Sequence, residues 1–227
     1  MAAVSLSIDQ QADPELAPRP TQDRLARAAV RLFAERGFAA TGIRDLAREL
    51  DVSSAALYHY VDRKEELLVR LMSACLDEYL RVGRLAVSTS SDPLVQLCRL
   101  VHVHVAGECT NPLTSLVTDR ELRSLSGDDL EEVMRRRDAF DELYRDVLTA
   151  GAETGRFRLI DPAVTRLGLM EMCNSVANWY RPGGSRSLAD VQDTCARLAR
   201  RLVGADGRTK VPVDSSPTVI RLASEPM

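Results

Sequence analysis

The sequence predicts an all-α protein, on three observations. Capping signals recur at short intervals, apolar residues repeat at three- and four-residue spacing, and only Arg156 to Ile160 approaches the alternation of a strand. The 227 residues are 45% hydrophobic and 28% charged, ordinary for a globular chain with a core to bury. A formal net charge of −3 advertises no nucleic-acid partner, so such a role has to be argued locally.

Residues 1–20, with Pro14, Pro18 and Pro20 among polar residues, are read as a flexible arm. A first helix over 21–36 follows from Leu25, Ala28, Ala29, Leu32 and Phe33 on one face, with Gly37 as its stop. Ile43, Leu46, Ala47 and Leu50 give the buried face of a second helix, 43–50. The turn Asp51-Val52-Ser53 is short, and Ser53 caps a third helix over 54–60. Two short helices joined by a tight turn make a helix-turn-helix, whose second helix suits the major groove. Small residues Ser54, Ala55 and Ala56 let its backbone approach DNA, and Tyr58, His59 and Tyr60 supply polar groups of low conformational entropy.

Further helices are expected over 63–84, 92–107, 111–125, 127–152, 161–180 and 187–203, about nine in all. Asp92-Pro93, Asn111-Pro112 and Asp161-Pro162 each set a capping side chain before a proline suited to the first turn. Ser187 to Asp190 reads as a capping box, with Asp in place of the better Glu or Gln. From Gly204 the pattern is broken by Pro212, Ser215, Ser216 and Pro217, so 204–227 is read as a disordered tail. The expected division is an arm (1–20), a helix-turn-helix head (21–68), an apolar helical body (69–203) and this tail.

Residues 21–68 resemble the DNA-binding head of TetR-family transcriptional regulators. The likeness is carried by Thr41-Gly42-Ile43-Arg44-Asp45-Leu46-Ala47, followed by Val52 to Tyr60 and Val61-Asp62-Arg63-Lys64-Glu65-Glu66-Leu67-Leu68. It implies that Arg44 opens the second helix and meets phosphate or a base, with Thr41 nearby for a phosphate. It places Ser53 at the cap, Ser54, Ala55, Tyr58 and His59 on or beside the recognition helix, and Tyr58, Tyr60 and Lys64 at backbone phosphates. Three positions depart from the family pattern: Gly42 stands for the usual Ser or Thr cap, Asp51 for the turn glycine, and His59-Tyr60 reverses the commoner aromatic-then-His order.

The later helices are more apolar than a DNA reader requires. Leu94, Leu97, Cys98, Val101 and Val105 stripe one helix, with Leu100 and Val103 on its other faces, so it is expected to be buried nearly all round. The family likeness implies that this bundle encloses an inducer pocket. The pocket is expected to draw on Cys98, Val101, His102, Phe140 and Tyr144, on Met170 and Cys173, and on Asn174 and Asn178 for a polar end. The last helices are expected to form a dimer contact through Val191, Cys195, Leu198 and Leu202. The stretch from Asn174 to Gly184 resembles family members that regulate fatty-acid, acyl-CoA and steroid catabolism, with Trp179-Tyr180 read as an interface anchor.

The implied function is a cytoplasmic homodimeric repressor, released from a palindromic double-stranded operator by an acyl-CoA or steroid-like inducer, with no cofactor and no membrane association. A helical enzyme using His59 or His102 as a base is disfavoured. No nucleophile–His–carboxylate motif, glycine-rich phosphate loop or metal-ligand spacing is present. His102 and His104, two apart on a helix, diverge and do not chelate one ion, so no metal is expected. The five scattered cysteines read as small buried residues. Arg135-Arg136-Arg137 reads as a solvated surface, and a protein-only adaptor is disfavoured by the helix-turn-helix. Locally, residues 16–64 hold nine basic residues against six acidic, so a mildly basic head is joined to an acidic body.

Overall fold

The computed structural model describes residues 20–205, with side chains from Gln22 onward. Among them run ten α-helices and one 3-10 turn, and no strand. The helices are α1 (Pro20–Arg36), α2 (Ile43–Leu50), α3 (Ser54–Leu57), α4 (Lys64–Ser88) and α5 (Pro93–Thr110). Then follow α6 (Pro112–Arg120), α7 (Gly127–Glu153), α8 (Pro162–Asn174), α9 (Val176–Trp179) and α10 (Leu188–Leu202). The expected arm and most of the expected tail lie outside the described residues.

Three helices stop or break where the sequence reading has them continuous, and α4 and α5 run on to Ser88 and Thr110, past the expected 84 and 107. The third helix ends at Leu57, and His59 N–H to Ala56 O and Tyr60 N–H to Leu57 O carry the chain on as a tighter turn. Val61, buried beside Leu57, draws the chain into the core before another α turn forms. The expected helix 161–180 breaks at Ser175, where Asn174 turns inward to His104 and α9 restarts. The expected helix 111–125 stops at Arg120, and Leu122–Ser124 forms the 3-10 turn under a Ser124 hydroxyl bond to Glu121. Arg156 to Ile160 is extended but unpaired as a strand: Arg158 N–H reaches Val203 O at 2.8 Å and Phe157 is buried.

Asp92 caps α5 by accepting from Leu94 N–H at 2.9 Å, and Asp161 caps α8 from Val164 N–H at 2.8 Å. Asn111 does not cap α6; its amide turns back toward Gly107 O and Thr110. The box at Ser187 closes in both directions with Asp190.

Two apolar clusters divide the interior. One gathers Leu25, Ala29 and Phe33 of α1, Leu46 and Leu50 of α2, Leu57, and Leu68 and Met72 of α4, then extends to Val117 of α6 and Val133 of α7. The other surrounds α5, where Leu97, Val101 and Val105 meet Tyr144, Leu148, Leu169, Val191 and Ala199. As expected, α5 is buried nearly all round, with every residue from Leu100 to Cys109 covered. Helix α4, 25 residues and so roughly 37 Å long, belongs to both clusters and joins them.

Candidate nucleic-acid interface and ligand chamber

The head is ordered by short-range bonds. The Asp45 carboxylate accepts from Gly42 N–H at 2.9 Å, doing from the third position what a Ser or Thr cap would share. At the other end of α2, Asp51 takes the left-handed conformation (φ 56°, ψ 48°), and Val52 N–H bonds Ala47 O at 3.0 Å. Ser53 Oγ accepts from Ala56 N–H at 3.1 Å and starts α3. With Leu57 and Val61 anchored inside, Tyr58 is 54% exposed and His59, Ala55 and Arg44 also face outward. Ser54 and Tyr60 are half-buried, and Tyr60 packs on the head core.

Thr41 has a different place from the one expected. It is buried, and its hydroxyl donates to Gly37 O at 2.9 Å, so it serves the turn and not a phosphate. Lys64 lies over the Phe38 ring, 4.0 Å from its centroid, and its ammonium donates to Phe38 O and Thr41 O at 2.7 and 2.8 Å. Two of its three donors therefore hold the α1–α2 turn against the start of α4.

Side-chain bonds tie the head to the body. Glu121, after α6, accepts from Phe38 N–H at 3.2 Å, and Arg63 pairs with Asp129 at the start of α7.

Within the body, α4, α5, α6, α7 and α8 enclose a cavity of about 40 Å³. Of the expected pocket residues, Phe140, Met170 and Asn174 line it. Tyr144 and Cys173 are packed just behind, their Oη and Sγ 4.0 Å apart, and Val101 is core. Cys98 and His102 face a separate open groove beside α10, and exposed Asn178 accepts from Arg120 at 2.6 Å. The sequence reading missed the polar lining: Tyr79, His104, Glu108, Ser115, Thr118, Asp119 and Arg137. Arg137 pairs with Asp119 at 3.3 Å and is a chamber wall as well as a surface residue.

The polar side of the chamber is a connected network. The Tyr144 hydroxyl donates to His104 Nδ1 at 3.0 Å, and His104 Nε2–H donates to Asn174 Oδ1 at 2.8 Å. Burial lowers the His104 pKa to about 4, leaving a neutral ring. The Tyr79 hydroxyl donates to Glu108 Oε1 at 3.0 Å and lies 3.1 Å from Ser115 Oγ. Burial, with Asp119 adding repulsion, pushes the Glu108 carboxyl well above the usual range. Although His104 and Glu108 are 3.8 Å apart, both are therefore neutral and form no ion pair. Tyr79 reaches this place because α5 has Gly107 there: a Cβ would stand 2.2 Å from the ring. Among the described residues no three His, Cys, Asp or Glu are grouped to hold a metal ion.

The expected dimer stripe divides. Val191 and Cys195 are buried against α5 and α8 in the chain's own core, because one face of α10 is needed there. Leu198 and Leu202 remain 43% and 47% exposed. On α8, which packs on α10, Val164 and Leu167 are exposed, although the apolar periodicity of this helix sets Leu167 in one stripe with Met170 and Cys173. Tyr180 is buried in the body core, and Trp179 is half exposed. Among the described residues no helix is long and apolar enough to cross a membrane.

Comparison with known proteins agrees with this architecture. Residues 25–71 match the family model "Bacterial regulatory proteins, tetR family", and residues 90–203 match "Tetracyclin repressor-like, C-terminal domain". The chain is 31% identical over 159 residues to the transcriptional repressor KstR2 of Rhodococcus jostii, covering 69% of this chain and 78% of that protein. A tetR-family regulatory protein from Rhodococcus RHA1 superposes with a TM-score of 0.77 at 25% identity, over 83% of this chain and all of that one. The ketosteroid transcriptional regulator KstR2 of Mycobacterium tuberculosis superposes with a TM-score of 0.74 at 26% identity, over 82% and 95% of the two chains.

Proposed function

The chain belongs to the TetR family of DNA-binding transcriptional regulators, and from that premise we propose how its two parts divide the work. Residues 21–68 bind operator DNA and 69–203 bind ligand and a second copy, in the cytoplasm. The observation that carries the reading is the outer face of α3. Beside a fully packed head, Tyr58, His59 and Ala55 stand outward together with Arg44 of α2. In this reading α3 enters the major groove of a palindromic operator, Ser54 and Ala55 lie against it, and Arg44, Tyr58 and Tyr60 meet backbone or base. Lys64 offers phosphate its third donor, and Ser53 holds α3 at its angle.

The ligand-responsive step follows from size and connection. A cavity of about 40 Å³ is far below the roughly 300 Å³ that an organic ligand fills. A bound ligand therefore drives α4 and α6 apart from α7 and α8. Tyr79 of the chamber and Lys64 of the head are on one helix, roughly 22 Å apart along it. Chamber residues Ser115 and Thr118 are on α6, which ends at the Glu121 bond to Phe38. Widening the chamber thus moves the head, and ligand and DNA compete for the spacing of two heads. Repression relieved by an apolar inducer is the sign this supports. The similarity to a ketosteroid regulator favours a steroid-like or acyl-CoA-type inducer. The second copy docks on the exposed apolar residues of α8 and α10: Val164, Leu167, Leu198 and Leu202.

The test is a mobility-shift titration with DNA from upstream of the chain's own gene. Tyr58→Ala is expected to weaken binding about tenfold with the salt slope kept, and Arg44→Ala to lower that slope by about 1, each at an unchanged melting temperature. Unaltered affinity in both Tyr58→Ala and Arg44→Ala would remove α3 from the interface.

A further inference from the structure

Glu108 is on the buried helix α5, and its side chain is 3% exposed. Its Oε1 is held by the Tyr79 hydroxyl, but Oε2 has no hydrogen-bond partner. Three buried side-chain polar atoms lack a partner among the described residues: Ser73 Oγ, His102 Nε2 and Glu108 Oε2. Only Glu108 belongs to a residue of the ligand chamber. Leaving such an atom unmade costs free energy, so a buried orphan marks a place where something else completes the bond.

The surroundings decide what completes it. No cation is paired with the carboxyl, and although hydrogen bonds from Tyr79 and Ser115 favour its charged form, burial and the repelling Asp119 outweigh them. From α4 it meets Tyr79, and one turn back on α5 the neutral His104; from α6 it meets Ser115 and the repelling Asp119. The Arg137 guanidinium of α7 is paired with Asp119, and α8 contributes only Met170 and Asn174. Glu108 is therefore a neutral acid with an O–H to give, not a carboxylate waiting for a cation. Leu76, Phe140 and Met170 add apolar lining to the same chamber. A hydroxyl on the ligand would bring a donor of its own, toward acceptors Glu108 Oε1 and Asn174 Oδ1 that are already engaged. A carbonyl oxygen brings none.

We propose that the unpartnered carboxyl oxygen of Glu108 sets ligand specificity by donating a hydrogen bond to a carbonyl oxygen carried on an apolar body. The inference rests on the reading of this cavity as the inducer chamber. Two kinds of molecule carry that group, a ring ketone and an acyl thioester.

The experiment uses the full-length protein and two matched pairs: androstenedione with its hydrocarbon parent androstene, and octanoyl-CoA with the thioether S-octyl-CoA. Affinities are measured by calorimetry for the wild type, Glu108→Gln, which keeps a donor, and Glu108→Leu, which has none. In at least one pair, wild type and Glu108→Gln should bind the carbonyl compound about tenfold tighter than its analogue. Glu108→Leu should bind both members alike while melting no lower than wild type. The pair that responds identifies the source of the carbonyl. Equal affinity within both pairs in the wild type, discrimination retained by Glu108→Leu, or no binding in either pair overturns the proposal. Operator binding measured on the same samples separates that failure from loss of the regulator reading, since DNA affinity depends on α3 and not on Glu108.

Discussion

The head and the body are both helical, but they bury different chemistry. Most of the polar residues buried among those described belong to α5, α6, the Asn111 link between them, and α10: His102, His104, Glu108, Asn111, Thr114, Ser115, Thr118 and Gln192. The head buries Thr41, whose hydroxyl is met by backbone carbonyls, and its core is otherwise aliphatic or phenylalanine. An aliphatic core has one best packing, and a DNA reader needs one shape. A buried polar network costs stability unless every member is met, and Glu108 leaves one member open. The body therefore leaves a buried polar atom of its chamber unmet, while the head leaves none among the described residues.

The largest effect that would break this contrast is in the head. Leu46 is fully buried in the core that α2 shares with α1 and α3, and truncation to Ala leaves a cavity that a rigid core does not refill. Leu46→Ala should lower stability by about 3 kcal/mol in urea denaturation and abolish operator binding at temperatures where the wild type binds. A loss below about 1 kcal/mol would mean the head collapses around the gap, and its single-shape packing would have to be given up.

How much of each region could be read in advance follows from the same contrast. The head repeats local rules within a few residues: Leu46 and Leu50 one turn apart, Ser53 three before Ala56, Gly37 after α1. Each rule is visible in sequence. The chamber joins residues far apart in the chain, Tyr79 with Glu108 and Ser115, His104 with Asn174, and no local period reports such meetings. Phe140, Met170 and Asn174 were found because they lie on apolar or amide-bearing helix faces. Glu108 and Tyr79 were missed because a Glu beside Gly107 reads as a surface residue until the ring of Tyr79 is seen against that glycine. The α10 stripe failed differently. Val191, Cys195, Leu198 and Leu202 drift around the helix, so two face the chain's own core and two face outward. On α8, Val164 and Leu167 are left uncovered as well.

A smaller effect would sharpen the contrast through pH. Glu108 has a folded pKa raised above its ordinary 4.5, so the native state holds a proton that the unfolded chain releases, and stability falls as pH rises through that interval. His104, lowered to about 4 from 6.5, acts in the opposite sense, and its contribution is complete once pH exceeds 6.5. Between 4.5 and 6.5 the two oppose each other; above 6.5 Glu108 continues to act in the same sense as the raised Asp119, and the buried cysteines, whose thiols burial pushes up, join them as pH nears 9. Stability should then decline with pH above neutrality, Glu108 contributing a slope of up to about 1.4 kcal/mol per unit. Glu108→Gln should flatten that decline, as measured by denaturant titrations from pH 6.5 to 9. A wild type with no decline over that range would place Glu108 as an ionised, solvated group.

The smallest effect is a gain, and it concerns the one backbone cost the head does carry. Asp51 is the only non-glycine residue with positive φ among those described, where the turn between α2 and α3 requires the left-handed conformation. Asp adopts it more readily than most side chains, yet glycine adopts it without steric penalty. The residue is exposed, and no described contact of its carboxylate offsets the strain. Against the gain stands the extra entropy that glycine has in the unfolded chain. Asp51→Gly should therefore raise stability by only about 0.5–1 kcal/mol, and removing a carboxylate beside α3 should also tighten operator binding slightly at low salt. The two readouts separate the causes, because relief of strain is independent of salt and repulsion of phosphate is not. If the variant is destabilised, Asp51 holds the turn by more than tolerance of its angle, and the head is less purely an apolar construction than its core suggests.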